Sequence, residues 1–424
     1  MKREGLGRGP CPSFGLGVLF WATGTGDRRS RPLARVVWGR QLRCSILRAM
    51  RTIGAGILLF GMAAVAAHGQ QAAPSAGAEE HLRNGVDAQR RGDVATAIDE
   101  YRKALAIEPK LLEARANLGA ALAAAGQFDA AIDEDYQALT LAPGNIALRK
   151  NLGLAYYKKG DMVHARTEFA AVHEVRPTDL GTAVLLGYAD IKLEKGPEAA
   201  AMLAPLEAGH ESNMDFEYVL AYSLMLAGKQ ADGLPKMERV ARATGSADAY
   251  FLAGSARLSR REFKEARGDL DAALELNPAL PGLWTQAGQA RDALGDNDAA
   301  LPAFEAALRQ DPNDFLANLY LGTMKLKQRD LDGARPLLTL ALQLQPTMPE
   351  ARFQMAKLNS MTGKYAEAAT ALEDLEKGDP KWLDPHVELA ALYYKLHRPE
   401  DGARERGIVE QIEAQQQKAG PQGK

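Results

Sequence analysis

Residues 281–313 read PGLWTQAGQARDALGDNDAALPAFEAALRQDPN. The stretch divides into two short amphipathic helical patterns joined at Gly295. Trp284, Ala287, Gly288, Leu294, Ala300, Phe304 and Ala307 supply its apolar and small positions, and Asp311-Pro312-Asn313 ends the second helix. One such hairpin cannot bury its own apolar face, so the question is whether the unit recurs.

It does, at a fixed interval. Pro109, Pro143 and Pro177 close successive units 34 residues apart, and Pro278, Pro312, Pro346 and Pro380 continue at the same spacing. Between the two sets the count is one residue short of three units. Small residues recur where two antiparallel helices must approach closely. The first helix has Gly85, Gly119, Gly153, Gly187, Ala221, Gly254, Gly288, Gly322, Ala356 and Ala390, and twelve residues on the second has Ala97, Ala131, Ala165, Ala199, Gly233, Ala266, Ala300, Ala334, Ala368 and Gly402. Gly92, Gly126, Gly160, Gly228, Gly295 and Gly363 fall at the inter-helix turn, where a left-handed residue ends the first helix. On these positions the chain resembles the tetratricopeptide repeat (TPR) family. The expected fold is all-α, a right-handed superhelical solenoid of about ten TPR-like helix-turn-helix hairpins over 78–412.

A stacked array replaces the two or three globular domains that 424 residues could otherwise form. Units four and five, at 180–246, are the weak part. Glu211 and Gly245 stand where the closing proline belongs, and Pro205 and Pro235 fall inside expected second helices. A local change of curvature and a flexible joint both fit. In the second unit Asp135 replaces the usual buried aromatic, with the adjacent Tyr136 expected to compensate in part. Residues 413–424 read as a polar tail after the terminal cap.

The amino-terminal tract is of another kind. Residues 1–49 carry ten Lys and Arg against Glu4 and Asp27, hold both cysteines (Cys11 and Cys44), and show no helical period. They read as a mispredicted extension ahead of a start at Met50, or as a disordered basic leader. Met50-Arg51, the apolar run 53–67 and the small residues after it form a signal-peptide pattern over 50–69, too short to span a bilayer stably. Residues 70–77 are a linker. The mature chain is then exported, periplasmic or secreted, free of cysteine, and without a membrane span after cleavage. Beyond the leader the chain is acidic, which argues against nucleic acid as the main partner.

No catalytic constellation stands out. The seven histidines are scattered and none has paired-ligand spacing, so neither a metal nor another cofactor is expected. Acidic residues at helix starts, among them Asp215, Asp248, Asp296, Asp298 and Glu350, read as caps or as partners of the helix dipole. The candidate binding positions lie on the first helices. Asn117 and Asn151 precede Leu-Gly in units two and three, with Arg83 equivalent in unit one. An amide offers donors and an acceptor to an extended peptide backbone. In the TPR family asparagines at this position form a ladder, which the resemblance implies here for two rungs only, since Leu185, Val219 and Leu252 follow. Lys150 and Lys158 add the positive charge that a carboxylate-binding variant needs. Tyr157, Tyr188, Tyr218 and Tyr222 offer rigid contact area with polar tips. The plain alternatives are that Asn is merely tolerated before Leu-Gly and that the rings fill gaps between helices.

The expected role is a non-catalytic scaffold or adaptor that binds an extended segment of a partner protein in a concave groove, in an envelope or secretion assembly; self-association stays open. The alternative is the substrate-recruiting subunit of a glycosyltransferase-like enzyme carried on a separate chain. A cytosolic cochaperone with a carboxylate clamp is a third reading.

Overall fold

The structure, a computed structural model, describes residues 74–418. The leader, the signal pattern and the start of the linker lie outside the described residues. Among the described residues there are twenty α-helices and no strand. The first hairpins are α1 (Ala76–Arg90) with α2 (Val94–Ile107), α3 (Leu112–Ala124) with α4 (Phe128–Leu141), and α5 (Ile146–Lys159) with α6 (Met162–Val175). Then come α7 (Leu180–Lys192) with α8 (Gly196–Leu203), α9 (Met214–Leu226) with α10 (Gln230–Thr244), and α11 (Ala247–Ser259) before α12 (Phe263–Leu276). The last four are α13 (Leu283–Ala293) with α14 (Asn297–Gln310), α15 (Phe315–Lys327) with α16 (Leu331–Leu344), α17 (Pro349–Met361) with α18 (Tyr365–Gly378), and α19 (Leu383–Lys395) with α20 (Pro399–Lys418).

These helices form two compact units, 74–260 and 261–418, which divide in the turn of the sixth repeat. Within each unit every helix packs on its neighbours in sequence, and first helices of successive hairpins also touch. The segment 180–246 lies inside the first unit, with α7, α8 and α9 packed on one another.

The hairpins close at the small residues for a steric reason. A Cβ added at Gly288 would lie 2.6 Å from Phe304, at Gly153 2.7 Å from Phe169, and at Gly322 2.8 Å from Leu338. Each partner side chain stands sixteen residues further on and is fully buried. At these positions a residue without a side chain lets the second helix lay its largest group flat on the first. The core of each unit is a line of such contacts, filled in by the alanines of the facing positions.

The turns follow as expected and go further. Gly92, Gly126, Gly160, Gly228, Gly295 and Gly363 all have φ between 76° and 90°. The remaining four turns keep the left-handed residue without glycine, at Glu194, Arg261, Arg329 and His397, with φ from 58° to 63°. The contacts of the hairpin impose the conformation against the preference of those side chains. Four second helices start on a capping aspartate, at Asp93, Asp161, Asp296 and Asp330, as where Asp296 accepts from the amide of Ala299 at 3.2 Å.

Three sequence readings change in detail. Pro205 ends α8 after eight residues and continues as a 3-10 turn over Ala204–Leu206, whereas Pro235, Pro302 and Pro336 are carried inside their helices, all at the sixth position. Helix α20 runs on to Lys418 through residues assigned to the polar tail, whose Glu, Ala, Gln and Lys are good helix formers. Tyr136 does not compensate for Asp135. Its ring stays 45% exposed with its hydroxyl 3.0 Å from that of Tyr156, while Asp135 itself occupies the core position at 1% exposure. Burial, with a smaller contribution from Glu134, pushes the Asp135 carboxyl up to about 8.

Two predictions come from this packing. In urea unfolding of the second unit, Gly288→Ala costs about 1–3 kcal/mol. Arg329→Gly in the same unit is neutral to about 1 kcal/mol stabilising; equal effects of the two changes would refute the steric account. Because the Asp135 carboxyl is raised in the fold, its contribution is fully present below its ordinary value and lost as pH rises through about 8. Wild type therefore loses stability relative to Asp135→Asn between about pH 4 and pH 8, on the order of several kcal/mol. Parallel stability–pH curves for the two proteins would contradict this.

Candidate functional site

The candidate residues lie on α1, α3, α5, α7 and α9, all in the first unit. Arg83 and Lys158 are exposed, and neither has an ion-pair partner among the described residues. Asn117 and Asn151 are half-buried at equivalent positions one repeat apart, and neither amide makes a hydrogen bond within the described residues. Their equivalents in the next three hairpins, Leu185, Val219 and Leu252, are buried at 1–4% exposure. The polar register thus gives way to core.

Lys150 does not stand free as a clamp cation. Its Nζ lies 2.9 Å from Asp179 Oδ2, which also accepts from the Thr182 hydroxyl at 2.6 Å. Burial works against the Asp179 charge, but the bonds from Thr182 and Lys150 outweigh it and hold its carboxyl below the usual range. The pair ties the third hairpin to the fourth.

The four tyrosines come together. Tyr157 and Tyr188 meet edge to face at 5.5 Å and share a hydroxyl hydrogen bond across α5 and α7. Tyr218 and Tyr222 meet at 6.3 Å on α9. Burial pushes all four hydroxyls up, that of Tyr188 to about 12, so each stays neutral. Tyr157, Tyr188 and Tyr222 are at most 8% exposed, so they pack helices together before they can touch anything else. Tyr218 is partly exposed, though its hydroxyl is enclosed and makes no hydrogen bond among the described residues. Lys192 Nζ lies 5.1 Å from the Tyr188 ring centroid, a cation–π contact within the chain.

Sequence reasoning missed Asp248, which it read as a dipole partner. The carboxylate is 5% exposed and lies close enough to Tyr188 and Tyr218 for its charge to help raise both hydroxyls. Asp215 and Glu350, given the same reading, have carboxyls pushed up by burial.

A second pattern crosses the hairpins. His81–Glu100, Arg115–Glu134 and Arg149–Glu168 pair at 2.8, 2.6 and 3.2 Å, each spanning nineteen residues at one register of the repeat. Hairpin five reverses the signs. Glu217 takes Arg239 at 2.7 Å, and Lys236 turns back to Glu207. In the last hairpin the register returns as His386–Glu405 at 2.7 Å, with both side chains no more than 3% exposed. The other ring nitrogen of His386 lies 3.1 Å from the Pro380 carbonyl. Glu376 joins them, and one ligand atom from each of the three lies within 4.8 Å of the others. The residues come from α18, α19 and α20, so no short spacing announces them.

Models of the tetratricopeptide repeat match residues 82–146 and 285–349, and a second such model matches 325–392. Among curated proteins, the chain is 25% identical over 185 residues to TPR repeat-containing protein YpiA of Bacillus subtilis, covering 43% of each. It is 27% identical over 127 residues to Superkiller protein 3 of Schizosaccharomyces pombe, covering 28% of this chain and 9% of that one. The chain thus spans less than half the length of either relative. Among solved structures, a tetratricopeptide repeat protein from Parabacteroides merdae matches with a TM-score of 0.45 at 16% identity, over 63% of this chain and 99% of that one. YrrB, described as a TPR protein with an unusual peptide-binding site, matches with a TM-score of 0.36 at 23% identity, over 43% of this chain and 95% of that one.

Proposed function

The chain belongs to the tetratricopeptide repeat family, and from that membership we propose that it is a non-catalytic scaffold. It binds an extended segment of a partner protein along the first helices of residues 74–260. The observation that carries this reading is the pair of unbonded amides, Asn117 and Asn151, half-buried at one register a repeat apart. A half-buried amide with no partner in the chain is open to exchange its water for a ligand, and an extended backbone offers both a donor and an acceptor. Arg83 and Lys158 flank the register with exposed positive charge, while Lys150 is already engaged by Asp179. Of the tyrosines only Tyr218 offers partly exposed ring surface, and the other three support the face from behind.

We further propose that the protein acts after export, on the signal-peptide pattern at 50–69. The partner then belongs to an envelope or secretion assembly.

Two measurements test these readings. Partners captured on wild-type protein should bind Asn117→Ala/Asn151→Ala about 5–150-fold more weakly, two amide contacts each contributing about 0.5–1.5 kcal/mol; undiminished affinity in a folded double variant rejects the amide register. Amino-terminal sequencing of protein from the producing cell should begin near Gln70, and a mature chain that retains 50–69 rejects export by cleavage.

A further inference from the structure

We propose that Glu376, His386 and Glu405 form a binding site for a divalent transition-metal ion of the Zn2+ class, holding the last hairpin to the one before it. His386 and Glu405 occupy the register where Arg115–Glu134 and Arg149–Glu168 form ion pairs. In those pairs the guanidinium is a permanent cation with no lone pair to offer. An imidazole at the same place is a cation only when protonated, and otherwise a metal ligand.

The hydrogen bonds decide which ring nitrogen faces inward. The Pro380 carbonyl can only accept, so His386 Nε2 carries the hydrogen and donates to it. A backbone carbonyl on the outer nitrogen is the usual way of orienting a metal-binding histidine. Nδ1 then faces Glu405 Oε2 at 2.7 Å. At that distance the two atoms share a proton, and a metal ion taking its place would part them to about 3.3 Å, the edge of a tetrahedral site with bonds near 2.0–2.1 Å.

Glu376 favours the metal. Its register holds leucine in five other repeats, at Leu105, Leu139, Leu274, Leu308 and Leu342, each half-buried. Glu207 also stands at this register, where it takes the Lys236 cation, but the His386–Glu405 pair holds no lysine for Glu376 to take. Yet Glu376 is turned into the pair, with a carboxylate oxygen within 4.8 Å of the ligand atoms of both His386 and Glu405. The neighbouring cations have partners of their own, since Arg404 bonds Asp401 at 2.5 Å and Arg398 bonds Asp401 at 2.6 Å. One imidazole nitrogen and two carboxylate oxygens make a borderline N/O donor set, suited to zinc with water in a fourth position. Ligand atoms within 4.8 Å come into coordinating range by rotation of Glu376, the least buried of the three.

The full chain, freed of metal by chelator and dialysed, is titrated with ZnCl2 by calorimetry. Wild type should bind one Zn2+ at this site and melt at a higher temperature with it. Glu376→Gln and Glu376→Leu should each weaken that binding at least 10-fold. Both keep the His386–Glu405 pair, and the second restores the leucine of the other repeats, so both should fold. Zinc bound equally by wild type and these variants overturns the proposal in favour of other histidines, and no uptake by wild type overturns it in favour of a plain ion pair. As a readout independent of any variant, Co2+ added to wild type should give a visible absorption band saturating at one equivalent, and its absence also counts against the site.

Discussion

The array depends on one steric relation, a glycine or alanine on the first helix beneath the facing core side chain of the second. Gly153 under Phe169 and Gly288 under Phe304 are its full form. Helices that close can bury a ring completely, and the alanines at the other facing positions then have room for nothing larger. The left-handed turn residue follows, because a hairpin held at that separation must reverse within a few residues. Glu194, Arg261, Arg329 and His397 adopt the turn even though their side chains disfavour it. The hairpin contacts dictate the turn in those repeats.

This dependence explains why so much of the fold was legible. A contact set by steric exclusion tolerates almost no substitution, so it leaves its spacing in the sequence as Gly and Ala at fixed intervals. Features set by balance were harder to read. Asp135 was read at a core position with the ring of Tyr136 compensating in part, yet that ring stays exposed. The backbone register put the aspartate inside. Pro205 ended its helix while Pro235 did not, although both were expected within helices.

The candidate site shows the same contrast. The tyrosines of α5, α7 and α9 were found because they share first helices, and helical spacing brings them to one place. Asp248 was missed because a carboxylate at a helix start has a sufficient explanation in the dipole, and nothing in the sequence shows that the spot is buried. Glu376, His386 and Glu405 were missed because three helices supply one ligand atom each. Only the register, which sets His386 beside the arginines of other repeats and Glu376 beside the leucines, holds a trace of that grouping. Lys150 looked available for a partner until Asp179, in the next hairpin, was placed against it.

The small-residue contact also bears on how such a chain can change over evolutionary time. Each lock closes within one hairpin, as from Gly85 to Tyr101 or from Gly322 to Leu338, across the same sixteen residues. A whole repeat can be duplicated or lost with every remaining lock intact, whereas a length change inside a lock would turn the second side chain away from its glycine. The one irregularity in the count obeys this. The residue missing between the two sets of prolines falls between Met237 and Gly254, around the left-handed Gly245, in the stretch that links one lock to the next. The length differs where no lock is crossed, and the grammar of the repeat holds on either side.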